Sequence, residues 1–218
     1  MKAIIKKICL STIICTTLIG CGTNNSESEN PKVEEGIDIS QNPIGAIGKV
    51  IELSKDASQI PQSISQDIAN KEPVAPVSFK ELIDYLPQPP NGWKAAKPQG
   101  QSNSFGNYSI SQVNQTYTQG SKQIEVSIFD WAFNSALYTP FLLSTEFSQE
   151  STDGYNKGLK IDDIPGREEY SYIDKRGSLN LLVNSRFFVQ IDGNNIDDLE
   201  LREWWQLIDS KALNQIDN

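Results

Sequence analysis

Apolar and polar positions alternate most regularly in the second half of the chain. Gln123 to Trp131 places Ile124, Val126 and Ile128 on one face, the period-two pattern of a half-buried strand. With Tyr108 to Tyr117 before it and Gln119-Gly120-Ser121 as the turn, it predicts a hairpin. Asp153 to Ile161 and Arg167 to Ile173 read as two further strands about the turn Asp162-Asp163-Ile164-Pro165-Gly166. Ser178 to Val183 and Arg186 to Asp192 flank Asn184-Ser185, a spacing suited to a tight primed turn in which Asn tolerates positive φ.

Helical spacing appears elsewhere. Val50, Leu53, Ala57, Ile60 and Ile64 recur every three or four residues, predicting an amphipathic helix that Pro61 should end or kink. Lys71 to Val77 reads as an extended linker, because a residue before proline is pushed out of the helical region. Ser78 fits an N-cap with Glu81 three residues on, opening a short helix through Tyr85 that Pro87, Pro89 and Pro90 stop. A polar stretch from Gly92 to about Asn107 reads as a loop. Ala132 to Phe147 reads as a helix interrupted near Pro140, and Asp197 to Ile208 as a closing helix with Leu201, Trp204 or Trp205, and Ile208 inward. Strands in runs with helices around them predict an α+β fold over residues 78–216: an antiparallel sheet covered on one face by helices.

The start of the chain is an address. Lys2, Lys6 and Lys7 precede an apolar run from Ile8 to Ile19, about half the ~20 residues of a spanning helix, so residues 1–20 read as a signal peptide. Leu18-Ile19-Gly20-Cys21 resembles the bacterial lipobox, which implies that Cys21 becomes the acylated first residue of a mature lipoprotein, carrying palmitate or similar chains. Two or three chains, at about 0.8 kcal/mol per buried methylene, make such an anchor effectively permanent. Gly22 follows the cysteine where retained lipoproteins carry aspartate, and this resemblance implies the outer membrane if the host is Gram-negative. Residues 21–43 then form an acidic tether too poor in apolar side chains to order itself, with a reach of roughly 25 Å. Residues 44–77 hold the amphipathic helix and the linker.

Charge and composition narrow the chemistry. The chain has 19 basic and 28 acidic residues; three of the basic ones precede Cys21, leaving 16 against 28, a mature formal charge of −12. Phosphate-backbone binding needs clustered Lys and Arg, so nucleic acid is excluded as a partner. There is no histidine, and Cys9, Cys15 and Cys21 are the only cysteines, which excludes histidine triads, His/Cys zinc sites and internal disulfides downstream of Cys21. No G-x-S-x-G, S-x-x-K, P-loop or G-x-G-x-x-G occurs.

Gly92-Trp93, Tyr117-x-x-Gly120, Ile124-x-Val126-x-Ile128-x-Asp130, Gly154-Tyr155 and Arg186-Phe187-x-Val189-x-Ile191-x-Gly193 together resemble a group of uncharacterised bacterial exported lipoproteins. Their domain is loosely similar to the PsbP-like α+β fold. The resemblance covers about Phe79 to Leu213 and implies no catalytic residues.

Carboxylates and aromatics remain. Asp162-Asp163 and Glu168-Glu169 are acid pairs, but neighbours on a strand face opposite ways, and they read as solvated turn and strand-edge groups rather than a glycosidase pair. Asp192 to Asp198 superficially resembles a calcium loop, yet Ile196 and Asp197 stand at positions five and six, so it reads as a strand-to-helix turn capped by Asn195 or Asp197. Arg186, among apolar residues, is expected in a structural ion pair with an acid such as Asp130. Trp204 and Trp205 are adjacent, so one of them should lie at an exposed edge; with Trp93 they form the candidate binding surface. No metal or cofactor is expected. The leading expectation is a lipid-anchored envelope accessory domain, monomeric and without catalysis, that binds a protein, an envelope protein being the candidate partner, or a small ligand. The alternatives are a carboxylate-dependent envelope hydrolase, or an assembly factor acting through the 44–64 helix.

Overall fold

The computed structural model describes residues 71–106 and 108–216. The signal peptide, Cys21, the tether and the 44–64 helix lie outside the described residues.

The body is built on one antiparallel sheet of nine strands: β1 (Lys94–Ala95), β2 (Gln99–Phe105), β3 (Tyr108–Gln119), β4 (Lys122–Asp130), β5 (Ser148–Glu150), β6 (Gly154–Ile161), β7 (Ile164–Ser171), β8 (Arg176–Val183) and β9 (Phe187–Asn194). Their order is β1-β3-β4-β9-β8-β7-β6-β5, and β2 lies beside β1 along the same edge of β3. After the β3–β4 hairpin the chain crosses to the far edge, and β5 to β9 then walk back strand by strand until β9 pairs with β4.

Alternation selects the two faces of this sheet. On the first face Ile124, Val126 and Ile128 meet Val189, Ile191, Leu179 and Leu181, all fully buried. Covering them are α1 (Phe79–Leu82) with a 3-10 turn (Ile83–Tyr85), α3 (Glu200–Trp205) and α4 (Ser210–Asn214). Each large apolar side chain removed from water there contributes about 1.5–3 kcal/mol. Among the described residues the second face carries only α2 (Ser135–Ser144), which packs Tyr138, Phe141 and Leu142 over Phe188 and Leu182 at one end.

The expected fold class is therefore corrected. Of the described residues, strand takes 44% and helix 19%, so this is a β-sheet fold with a few short helices rather than an α+β domain whose sheet is covered by helices. Two local departures account for the shift. The polar stretch expected to be a loop supplies β2, which pairs residue for residue with β3 from Gln99↔Asn114 to Phe105↔Tyr108. Backbone pairing does not need apolar side chains, and the small hydroxyls join across it: Ser102 to Ser111 at 2.7 Å and Ser104 to Ser109 at 2.9 Å. The closing helix expected over Asp197 to Ile208 is, in turn, shortened to α3, and α4, which the sequence reading did not expect, follows it after a corner at residues 206–209. The start of α3 is not capped by Asn195 or Asp197: the N-cap is Leu199, and the Glu200 carboxylate instead accepts from the Asp197 N–H at 2.8 Å.

Other elements follow the expected pattern with adjustments. Ser78 caps α1 by accepting from the Lys80 N–H. Helix α2 continues through Pro140 rather than being interrupted there as expected, although an interior proline gives up one backbone donor and crowds the carbonyl four residues before it. The β6–β7 connection is a two-residue turn, Asp162 and Asp163 both at positive φ. At the β8–β9 hairpin Asn184 (φ 55°) and Ser185 (φ 53°) take the left-handed conformation expected, and the Arg186 N–H closes the turn on the Val183 carbonyl. Val183 pairs with Phe187, so Arg186 is one residue more than a two-residue hairpin needs.

That extra residue turns into the body. Arg186 is 1% exposed and grips the fully buried Asp130 with two hydrogen bonds, Nε to Oδ1 at 3.0 Å and Nη2 to Oδ2 at 2.9 Å. The same carboxylate accepts from the Val77 and Ala132 N–H groups, each at 2.7 Å. The structural pair expected from the sequence is thus present, and it ties the incoming chain, the end of β4 and the last hairpin together. Residues 71–77 are extended as expected but docked as well. Lys71 Nζ donates to Asn184, and the Val74 N–H donates to the Ala132 carbonyl.

Candidate functional site

Beyond α2, the second sheet face is polar. Directly opposed residues of an antiparallel sheet share a face, so Thr116, Glu125, Asp192, Ser178, Glu169 and Asn156 form one lateral row across β3, β4, β9, β8, β7 and β6. Asn114, Ser127, Gln190, Asn180 and Arg167 form the row on the α2 side, and Gln123, Asn194, Arg176 and Ser171 the row on the other. Among the described residues no helix covers these rows apart from the α2 end, where Arg167 donates to the Ser144 carbonyl.

Asp192 stands at the centre. It is half-buried between its neighbours and accepts from Gln190 Nε2 at 2.8 Å and from the Ser178 hydroxyl. Burial pushes its carboxyl up from 3.8 to about 6, and the nearby charges of Glu125 and Glu169 push the same way, while the hydrogen bonds oppose the shift. Glu125 accepts from the Thr116 hydroxyl at 3.3 Å, and Glu169 from Asn156 Nδ2 at 3.3 Å. Among the described residues no three acids, histidines or cysteines are placed to hold a metal ion. The rows instead offer carboxylate, amide and hydroxyl groups at the ~4.8 Å strand spacing.

The acid pairs separate as strand geometry requires. Glu169 is exposed on the polar face, and Asp162 and Asp163 are exposed at their turn. Glu168 corrects the solvated reading: it is fully buried on the helix-covered face, where Arg202 holds it bidentately at 3.1 and 2.6 Å and Lys157 approaches to 3.8 Å. Tyr155 lies beside this group with Lys157 Nζ 3.9 Å from its ring centroid, and burial raises its phenol pKa.

The tryptophans are also relocated. Trp204 is 3% exposed and Trp205 4%, so neither lies at an exposed edge as expected. Their side chains leave α3 about 100° apart, yet both join the buried cluster on the helix-covered face. Trp204 meets Tyr117 at 4.6 Å and the half-buried Trp93 edge-on at 5.0 Å, making the aromatic trio part of the core. The Tyr117 hydroxyl satisfies itself on the Pro87 carbonyl at 2.7 Å, and burial raises its pKa. Trp205 borders an open groove of about 780 Å³ between the β6–β7 turn and the α3–α4 corner, with Lys160, Ile161, Arg202 and Lys211. Cys21 lies outside the described residues, and no described helix is long and apolar enough to cross a membrane.

No protein-family model, curated protein or solved structure matches this chain. The site must therefore be read from its own chemistry. Sequence reasoning missed the polar face because it followed the apolar side of each strand. The signal was available in the intervening positions Gln190, Asp192 and Asn194 of β9, and Ser178 and Asn180 of β8, which are polar without exception.

Proposed function

We propose that this chain is a lipid-anchored binding domain of the cell envelope, without catalysis of its own, that presents its polar sheet face to an envelope protein. The observation that carries this reading is Asp192. A folded domain has every reason to fill a central sheet position with a neutral side chain, yet here a carboxylate is kept half-buried beside two others, at a cost in stability. Glu125, Asp192 and Glu169 in one row suit a partner that brings Lys or Arg side chains to the face, with the flanking amides and hydroxyls fixing its register. The lipobox-like sequence at Cys21 supports the address, in the outer membrane if the host is Gram-negative.

The experiment is site-specific photo-crosslinking in the native envelope. A photoreactive residue at Gln190, in the centre of the face, should give a discrete protein adduct that Glu125→Lys with Glu169→Lys removes. The same group at Glu203, exposed on α3, should not give it. Equal adducts from both positions, or none from Gln190, would overturn the binding face. Membrane fractionation with palmitate labelling tests the anchor separately: Cys21→Ser should release the chain, and an unchanged membrane-bound fraction would sink the lipoprotein reading.

A further inference from the structure

The edges of the sheet differ in how they are protected. Unpaired edge strands template further pairing, and proteins blunt them with short strands, prolines and charged side chains. Strand β5 is three residues long and carries Glu150. Strand β1 is two residues long and is followed by Lys97 and Pro98. The same Lys97 and Pro98 stand just before β2, but within its own length β2 has none of these devices. It runs seven residues, QGQSNSF, and every residue from Gln99 to Ser104 is exposed. From Pro98 to Ser121 no residue carries a charge, in a chain whose charged residues make up 22% of the total. Among the described residues only β3 pairs with β2, along one side, and the outer backbone groups of β2 face away from the sheet.

We propose that the outer edge of β2 is a self-association surface, on which a second copy of this chain adds its own β2 antiparallel to join two nine-stranded sheets. Charge selects the occupant. Two bodies of formal charge −12 repel over most approaches, and an edge free of charge is where their backbones can come together without bringing like charges into contact. A two-fold antiparallel pair is self-complementary, so one edge suffices for both partners. Seven residues extend about 24 Å and bury less than the roughly 1,000 Å² of a dimer stable in dilute solution. The pairing therefore draws its local concentration from confinement at the membrane, and in that respect rests on the anchored reading above. It departs from the monomer expected from sequence.

The absence of cysteine after Cys21 makes the test direct. Single substitutions Gln99→Cys, Gln101→Cys, Ser102→Cys, Asn103→Cys and Ser104→Cys in the full chain, oxidised mildly in the membranes that hold it, should give a disulfide-linked homodimer. Its yield should peak at the residue nearest the two-fold axis and fall at least fivefold two residues away, while Gln149→Cys in β5 gives none. Gln101→Lys with Asn103→Lys should reduce association tenfold or more, as should the corresponding Glu pair, and mixing the two should restore a heterodimer. Thermal melts of the charge variants check that each remains folded. No crosslink along β2, a flat yield at all five positions, a band of another mass, or charge variants that still associate would each overturn the proposal. A homodimer already present through Cys21 in the unsubstituted chain, or recovery of the chain in the soluble fraction, marks failure of the anchor instead.

Discussion

Replacing Asp192 by Asn should make the domain more stable at neutral pH and leave it unchanged or slightly weaker in acid. The carboxyl titrates at about 6 in the fold against an ordinary 3.8, and each pKa unit is worth about 1.4 kcal/mol. Because the folded value is the higher one, the folded state holds the proton longer. Well below pH 3.8 both states are protonated and the group contributes nothing. As pH rises from about 4 to 6 the unfolded chain ionises first and stability falls, and above about pH 7 ionised Asp192 opposes folding by about 3 kcal/mol. Asparagine keeps one acceptor for Gln190 or Ser178 and gives up the other, a loss of about 1 kcal/mol. The expected net gain at pH 7.5 is therefore about 2 kcal/mol, or roughly 5 °C in Tm for a body of this size. Urea denaturation and thermal melts at intervals between pH 4 and 8, on both proteins, read the effect. The stability difference should open through the pH 4–6 window and then level. A difference independent of pH, or an Asn variant no more stable at pH 7.5, would refute the claim that this carboxylate is retained at a cost.

Two further substitutions test the architecture. Asp130→Asn leaves the Arg186 guanidinium buried against a neutral amide and should cost about 3–5 kcal/mol in urea denaturation, whereas a loss under about 1 kcal/mol would mean that the pair does not clamp the entry strand to the last hairpin. Val189→Asp, which buries a carboxylate between Ile128 and Leu181, should cost more than about 4 kcal/mol. Gln190→Asp, on the polar face, should cost about 1–2 kcal/mol through the donor lost to Asp192 and the added negative charge, with the loss greatest above pH 6; equal losses from the two variants would refute the distinction between faces.

The sequence by itself determined the elements whose signal is local. Alternation in β4, β8 and β9 needs only the neighbouring residues to declare which side is apolar, and the Asn184-Ser185 turn follows from which side chains tolerate positive φ. The Arg186–Asp130 pair was also legible, since a cation set among apolar residues demands a buried acid. Tertiary structure decided what depends on partners distant in the chain. The stretch Gln99 to Phe105 has neither apolar period nor β-branched residues, and it becomes a strand only because β3 offers it a free edge of backbone donors and acceptors. Its contribution turns an expected α+β domain into one dominated by a sheet. Burial of both Trp204 and Trp205 depends on the residues that pack around α3, Tyr117 and Trp93 among them, which no helical wheel contains. Burial of Glu168 required Arg202, 34 residues away in sequence, to arrive above β7. The polar face was present in the sequence as scattered Asn, Gln, Ser, Thr and Asp residues. Strand order alone aligned Glu125, Asp192 and Glu169 into one row, and mutual proximity and burial then raised the central carboxyl to about 6.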